Sequence, residues 1–83
     1  MKFQVTQEDI DKGESCCPEN CPITRCVKRY FPLYKIYTTI SYLHINDNVI
    51  NLPKKAIEFV HDYDFDYKVE PIEFELEGIL ELI

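Results

Sequence analysis

Four cysteines, Cys16, Cys17, Cys21 and Cys26, lie within eleven residues near the start of the chain. Four thiolates can hold a structural zinc ion, but such sites usually place cysteine pairs on two separate knuckles, and this run has no second knuckle. The spacing therefore favours reduced thiols and no bound metal. Two alternatives stay open. One is a zinc site built from all four cysteines. The other is a redox role, with Cys21 preferred because a helix N-terminus stabilises a thiolate.

A second run, over residues 62–67, alternates carboxylates with aromatic rings, and glutamates then recur at alternate positions. Tyrosine provides a large contact area with a hydrogen-bonding tip and is enriched at protein interfaces. We therefore predict an acidic aromatic surface that binds a basic protein, imitating DNA phosphates in one version of the hypothesis. The opposing interpretation is that the rings cover the edge of the core and the carboxylates are solvated. The predicted partner-binding residues are Asp62, Tyr63, Asp64, Asp66, Tyr67, Glu73, Glu75 and Glu77.

Charge is divided unevenly along the chain, whose net charge is −6. Residues 1–19 carry two bases and five acids (−3), residues 20–57 carry six bases and one acid (+5), and residues 58–83 carry one base and nine acids (−8). A strongly acidic third argues against direct nucleic-acid binding, since such proteins usually show a dominant basic footprint. Arg25, Lys28 and Arg29 share one face of a predicted helix and could meet phosphate, but we expect these three bases to pair with acids elsewhere in the chain.

Other residues that commonly carry chemistry do not form a motif. His44 and His61 are far apart in the sequence, and the glycines are too isolated for a phosphate-binding loop. The aspartates of residues 62–66 resemble the start of a calcium-binding EF-hand loop, but Tyr67 stands where its sharp turn requires glycine. We therefore predict no catalytic residues, no cofactor and no small-molecule substrate.

The elements that position these residues follow from the spacing of apolar side chains. Residues 2–5 are predicted to form an edge strand. Thr6 then caps a short helix over residues 7–12, with Asp9 completing an imperfect capping box. Gly13 is expected to end that helix in the left-handed conformation.

Two longer helices are predicted in the middle of the chain. The first begins at Cys21 and Pro22, because proline is favoured in a first turn, and Pro32 stops it. Its buried stripe follows the helical spacing i, i+3, i+4 and i+7. Pro53 opens the second helix, and residues 61–68 are a loop or a frayed helix end. The stripe residues are Ile23, Cys26, Val27 and Tyr30 in the first helix, and Ala56, Ile57 and Val60 in the second.

The remaining apolar segments are predicted strands. Residues 34–45 are β-branched and aromatic throughout, which predicts one long strand. Residues 46–48 have turn chemistry, and residues 49–52 pair back as a hairpin. Residues 72–76 alternate apolar residues with glutamates, as expected for a strand with one wet face. Residues 79–83 form an apolar tail that docks or extends this strand.

These elements define a single α+β domain over residues 1–83, in the order β-α-β-β-α-β with a helical turn before the first long helix. We expect an antiparallel-rich sheet with two helices on one face. The order matches the ferredoxin-like arrangement and also fits other helix-on-sheet packings.

The chain resembles a family of small phage and prophage proteins. The resembling residues are short motifs at both ends of the domain. Because we know of no established activity for that family, the resemblance implies a fold and a phage or bacterial context, with no functional residue carried over. The motifs are Val5-Thr6-x-x-Asp9-Ile10-x-x-Gly13, Cys21-Pro22-Ile23, Leu52-Pro53 with Ala56, Phe59-Val60 and Asp64, and Pro71-x-x-Phe74-x-Leu76.

The sequence thus predicts a non-enzymatic accessory protein that binds and modulates a host protein through its acidic aromatic surface. The alternative is a small structural or sensor protein that uses its cysteines. No apolar stretch suits a signal peptide or a membrane span, so a cytoplasmic location is expected. A homodimer through the 72–83 segment fits either function, because an apolar edge strand invites pairing.

Overall fold

The computed structural model describes residues 1–82, and every side chain among them except those of Leu80 and Leu82. The α+β fold class is confirmed, with small antiparallel sheets and several helices. The predicted tail 79–83 is a helical turn as far as residue 82, and residue 83 lies outside the described residues. In chain order the elements are β1 Lys2–Gln4, α1 Gln7–Lys12, α2 Pro22–Tyr30, β2 Ile36–Thr38, β3 Tyr42–Ile45, β4 Asn48–Asn51, α3 Lys54–Asp64, β5 Glu73–Glu75 and α4 Ile79–Leu82.

The strands form two sheets, where the sequence predicted one. β1 pairs with β5, and β2, β3 and β4 form a separate three-stranded meander, so the ferredoxin-like order is not formed. All pairs are antiparallel. The buried core lies between the sheets and the helices, and the stacked rings of Phe3 and Phe74, 5.5 Å apart, join β1 to β5 within it.

The prediction of one strand over residues 34–45 was wrong, because the chain reverses between β2 and β3. Thr39 N donates to Tyr42 O at 2.9 Å, and Ile40 projects from this turn with 73% of its surface exposed. A straight strand of twelve residues would span about 40 Å. The whole domain is only 34 Å in its longest dimension, so reversal is what lets both halves reach the core.

The helix starts follow the sequence more closely. Thr6 and Asp9 form the predicted capping box, with Asp9 N donating to Thr6 Oγ1 at 3.2 Å and Thr6 N donating to Asp9 Oδ2 at 2.9 Å. α2 begins at Pro22, and Ile23, Cys26 and Val27 are buried as predicted, whereas Tyr30, the fourth residue of the predicted stripe, is 40% exposed. α3 continues through Asp64, further than the sequence indicated.

Gly13 ends α1 in an extended conformation, with φ −71° and ψ 168°, and not in the predicted left-handed one. Glycine is needed at this position because there is no room for a side chain. A Cβ atom there would lie 2.7 Å from the carbonyl oxygen of Asp9 and 3.0 Å from the ring of Pro22. Glycine at this position therefore lets the end of α1 pack closely against the start of α2.

Candidate functional site

The two-stranded sheet has a simple hydrogen-bond pattern that fixes what its two edges offer. Val5 N donates to Ile72 O at 2.8 Å, and Leu76 N donates to Met1 O at 2.9 Å. Bonded and non-bonded pairs alternate along an antiparallel ladder. In this register Gln4 lies opposite Glu73, and Lys2 lies opposite Glu75. Both are non-bonded pairs, so their main-chain N–H and C=O groups point outward from the sheet.

The outer edge of β1 is closed at Gln4 by side chains of α2. The Gln4 carbonyl accepts from Arg29 Nη2 at 2.8 Å and from Cys26 Sγ at 3.2 Å, and its amide donates to Tyr30 Oη at 3.4 Å. Lys2, the other outward-facing residue of β1, is exposed. The side chains of α2 thus occupy the outward main-chain groups of β1 at Gln4.

Asp9 holds these arginines in place. Its side chain is almost completely buried, at 2% exposure, and its Oδ1 atom pairs with Arg29 Nη1 and lies 3.9 Å from Arg25 Nε. The expectation of pairing with acids of the same chain is confirmed for Arg25 and Arg29, whereas Lys28 has no ion pair within residues 1–82. The hydrogen bond that Arg29 donates to Asp9 raises the pKa of the guanidinium above its ordinary value, which keeps this cation charged. These arginines therefore serve the fold, although Arg29 stays exposed on α2 beside Lys28 and Tyr30.

The outer edge of β5 is open. The amide and carbonyl groups of Glu73 and Glu75 point away from β1, and no group within residues 1–82 hydrogen-bonds to them on that side. Both side chains are exposed, as is that of Glu77 just beyond the strand. Lys2 Nζ, 4.0 Å from Glu73 Oε1, is a weak partner because both side chains are more than half exposed. The outer edge of β5 thus combines main-chain groups that lack a hydrogen-bond partner with exposed carboxylates.

Sequence reasoning assigned the glutamates of this strand to a partner surface through their side chains and missed its main-chain groups. The sequence pointed to these main-chain groups only indirectly. The 72–76 alternation predicts a strand, but whether one of its edges stays unpaired depends on which other strand lies beside it. That depends on the whole fold.

The acidic aromatic segment is divided between internal and external contacts. Tyr63 Oη donates to Ile10 O at 2.9 Å, and Asp64 Oδ1 accepts from Cys16 N at 2.9 Å, so these two residues tie α3 to the N-terminal half. Phe65 and Tyr67 instead are 67% and 63% exposed, with exposed Asp66 between them.

Two grooves flank the segment 68–70 that leads from these rings toward β5. The larger groove, about 600 Å³, includes Tyr63, Asp66 and Tyr67 and is closed on its far side by the end of α1. The smaller one, about 240 Å³, includes Asp62 and Ile72 and reaches the residue before β5. Of the predicted residues, the larger groove thus contains Tyr63, Asp66 and Tyr67 and the smaller one Asp62, while Glu73 and Glu75 follow Ile72 along the chain.

Three of the cysteines line a separate groove of about 270 Å³, with Thr38, Val60 and Asp64. All four thiols are free. Cys26 lies elsewhere, where its thiol donates to Gln4, so the four sulfurs do not converge. Within residues 1–82, no group of three or more histidine, cysteine, aspartate and glutamate side chains is arranged to hold a metal ion.

The electrostatics of the buried thiols oppose the predicted redox role of Cys21. The amides of Ile23 and Thr24 lower its pKa, as expected at a helix N-terminus, but burial outweighs them and raises the pKa to about 11. Burial likewise raises the pKa of Cys26 to about 12, against the lowering effect of Arg29. Both thiols are therefore protonated, and unreactive as nucleophiles, at neutral pH.

The two histidines have different surroundings and do not form a site with a cysteine. His44 stacks on Tyr37 with ring centroids 4.2 Å apart, and Thr39 Oγ1 lies 3.3 Å from its Nε2 atom. His61 stacks on Phe65 at 4.7 Å and pairs with its neighbour Asp62. Both are explained by local packing on the surface.

No protein-family model, curated protein or solved structure matches this chain. Within residues 1–82, no helix has the length and apolar composition that crossing a membrane requires. Function is therefore inferred from the geometry of the surface described above.

Proposed function

We propose that this chain is a non-enzymatic accessory protein that binds a basic surface on another protein. We define its acidic surface by five carboxylates and one ring, Asp62, Asp66, Tyr67, Glu70, Glu73 and Glu75. The observation that carries the proposal is the exposure of Phe65 and Tyr67, 67% and 63%, in the most acidic third of the chain. Exposed aromatic rings among solvated carboxylates are suited to an interface with an Arg- or Lys-rich partner.

The internal contacts support binding over catalysis. Arg25 and Arg29 are paired with Asp9, and Cys21 and Cys26 are held protonated by burial. The chemically versatile side chains are therefore occupied by the fold, while most of the carboxylates near β5 have no strong partner. Attraction between these carboxylates and a basic partner would speed the encounter and would weaken as salt is added.

The resemblance to small phage and prophage proteins suggests the biological setting. We propose a phage or prophage protein acting in the bacterial cytoplasm, whose partner is a host protein that it modulates or inhibits. A basic surface of the kind that contacts DNA phosphates would be complementary to the acidic surface, which supports inhibition of a nucleic-acid-binding protein as the mode of action.

The test compares two variants in which the same number of carboxylates is neutralised. The surface variant is Asp62→Asn with Glu70→Gln, Glu73→Gln and Glu75→Gln. The control variant is Asp11→Asn with Glu14→Gln, Glu19→Gln and Asp47→Asn, at exposed positions of other elements. Both change the net charge from −6 to −2, because four carboxylates are lost in each. Proteins retained from a bacterial lysate are identified by mass spectrometry, purified, and titrated with each variant by calorimetry.

We expect the affinity for the retained protein to fall about tenfold in the surface variant and to change little in the control, because a few exposed ion pairs are worth about 1–2 kcal/mol together. Higher salt should weaken the wild-type complex. Equal loss in both variants would mean that only net charge matters, and an unchanged surface variant would overturn the proposal.

A further inference from the structure

We infer that the partner contributes an extended, basic segment that adds to the open edge of β5 as a further antiparallel strand. This inference rests on the proposed function and names how the acidic surface would recognise its partner. It begins from the amide and carbonyl groups of Glu73 and Glu75, which point outward without a hydrogen-bond partner in residues 1–82. Main-chain groups of this kind are the template on which peptides bind by β-augmentation.

The side chains of the same two residues select the charge of the added strand. Residues directly opposite each other on an antiparallel pair share a face of the sheet. Side chains opposite Glu73 and Glu75 would therefore lie beside two exposed carboxylates. Lysine or arginine there forms cross-strand ion pairs, whereas acidic residues repel.

The charge of the same two residues disfavours a second copy of this chain as the strand that adds to β5. If β5 paired with β5 of another copy around Phe74, Glu73 of each copy would lie opposite Glu75 of the other. That arrangement brings four carboxylates together, and like charges directly opposite destabilise a strand pair. The edge is thus protected against self-association and open to a strand of opposite charge.

The smaller groove provides a place for a neighbouring side chain of the added strand. It reaches Ile72, the residue before β5, and also contains Phe59, which is buried, and Val69. Its rim includes Glu58, Asp62 and Glu70, which outnumber Lys55 and Lys68. An apolar side chain between two basic ones would fit a floor and a rim of this kind.

The test uses short synthetic peptides and nuclear magnetic resonance titration of the full chain. The first peptide alternates lysine with valine, and the second has glutamate in place of lysine. Two further peptides keep the alternating lysine sequence but carry a methyl group on the main-chain nitrogen, either of every lysine or of every valine. Methylation removes a donor and leaves side-chain charge unchanged, so each methylated peptide is the control for the other.

The expected result follows from the geometry of the edge. Lysines opposite Glu73 and Glu75 exchange both main-chain hydrogen bonds with them, and the valine amides between them face away. Methylation at lysine should therefore weaken binding by more than about tenfold, methylation at valine should have little effect, and the glutamate peptide should not bind. Shift changes should centre on Glu73–Glu75.

A pair of protein variants separates the main chain from the charge. Glu75→Gln and Glu75→Pro both remove one carboxylate, but only proline also removes the outward N–H, which an edge strand tolerates. We expect Glu75→Pro to bind the lysine peptide about fivefold more weakly than Glu75→Gln, at equal thermal stability.

If both methylated peptides bind as well as the first, strand addition is overturned while the acidic surface stands as an electrostatic site. If the lysine peptide does not bind at all, the inference is likewise overturned, and the lysate experiment decides the proposed function independently. A dimer of the free chain that contacts itself through Glu73–Glu75 would also contradict the inference.

Discussion

The two edges of the small β1–β5 sheet differ in how their outward main-chain groups are satisfied. On β1, Gln4 bonds to Cys26, Arg29 and Tyr30 of α2. On β5, directly opposite, Glu73 has no main-chain partner on its outer side within residues 1–82. The same sheet thus has one edge that belongs to the fold and one that is available to another molecule.

The difference shows why the chemically versatile side chains of this protein are poor candidates for catalysis. Cys26 and Arg29 lie on the face of α2 that closes the β1 edge, and Asp9 fixes Arg29 there. Both donate hydrogen bonds to the outward carbonyl group of Gln4. The β5 edge lacks such neighbours, and the glutamates that protect it from self-association also define the charge of a complementary strand.

The largest expected effect comes from removing the carboxylate that organises the closed edge. Asp9→Ala takes away the capping bond to Thr6 and the counter-charge of Arg29 and Arg25. We expect the free energy of unfolding to fall by about 3 kcal/mol, as when one partner of a buried ion pair is removed. Urea denaturation followed by circular dichroism measures it.

The matched control on the open edge is Glu73→Ala with Glu75→Ala. Both residues are exposed, and within residues 1–82 their side chains make only the long contact between Glu73 and Lys2. Their removal should therefore change the unfolding free energy by no more than about 0.5 kcal/mol. If Asp9→Ala costs as little as this control, the closed edge does not depend on Asp9 and the contrast between the edges fails.

The second expected effect is a pH dependence of the stability that Cys26 contributes at the closed edge. Burial raises the pKa of Cys26 to about 12 from its ordinary 9.0. The unfolded chain therefore ionises first, and the stability that the buried thiol contributes is complete below pH 9 and is lost as the pH rises from 9 toward 12. The thiol's own contribution should decrease by about 2 kcal/mol between pH 8 and pH 10.5.

Comparison with Cys26→Ala isolates this contribution, because the other groups that titrate in this range are shared. At pH 8 the variant should be less stable than wild type by about 2 kcal/mol, since it loses a buried sulfur and its bond to Gln4. At pH 10.5 the two should be nearly equal. A stability difference that stays constant over this range would contradict the assigned role of Cys26.

Local features of the sequence predicted the local features of the structure. The capping box of Thr6 and Asp9, the start of α2 at Pro22 and its buried stripe are each determined by residues a few positions apart. The turn between β2 and β3 was missed because Ile40 is β-branched and apolar, and Ser41 alone is a weak turn signal. A straight strand over residues 34–45 would be longer than the domain, and this limit cannot be recognised from the residues near the turn.

The candidate site was predictable in its charges and not in its main-chain geometry. The sequence indicated the acidic and aromatic residues, and the structure separates them into those that tie the fold together, Tyr63 and Asp64, and those that stay on the surface, such as Tyr67. That division depends on contacts with Ile10 and Cys16, about fifty residues away in the sequence, which no pattern within residues 62–67 encodes.

The smallest expected effect compares equivalent amides on the two edges by hydrogen exchange. The amide of Gln4 donates to Tyr30 Oη, whereas the amides of Glu73 and Glu75 face solvent. After correction for intrinsic rates, we expect Gln4 to exchange about tenfold more slowly than either glutamate. Tyr30→Phe should remove this difference, because it deletes the hydroxyl and keeps the ring against Phe3. The amides of Phe3 and Phe74, which lie inside the ladder, should stay protected in both proteins and serve as the internal control. Equal protection of Gln4 and Glu73 in the wild type would mean that the two edges are alike in solution, and the open edge would lose its distinction as a binding surface.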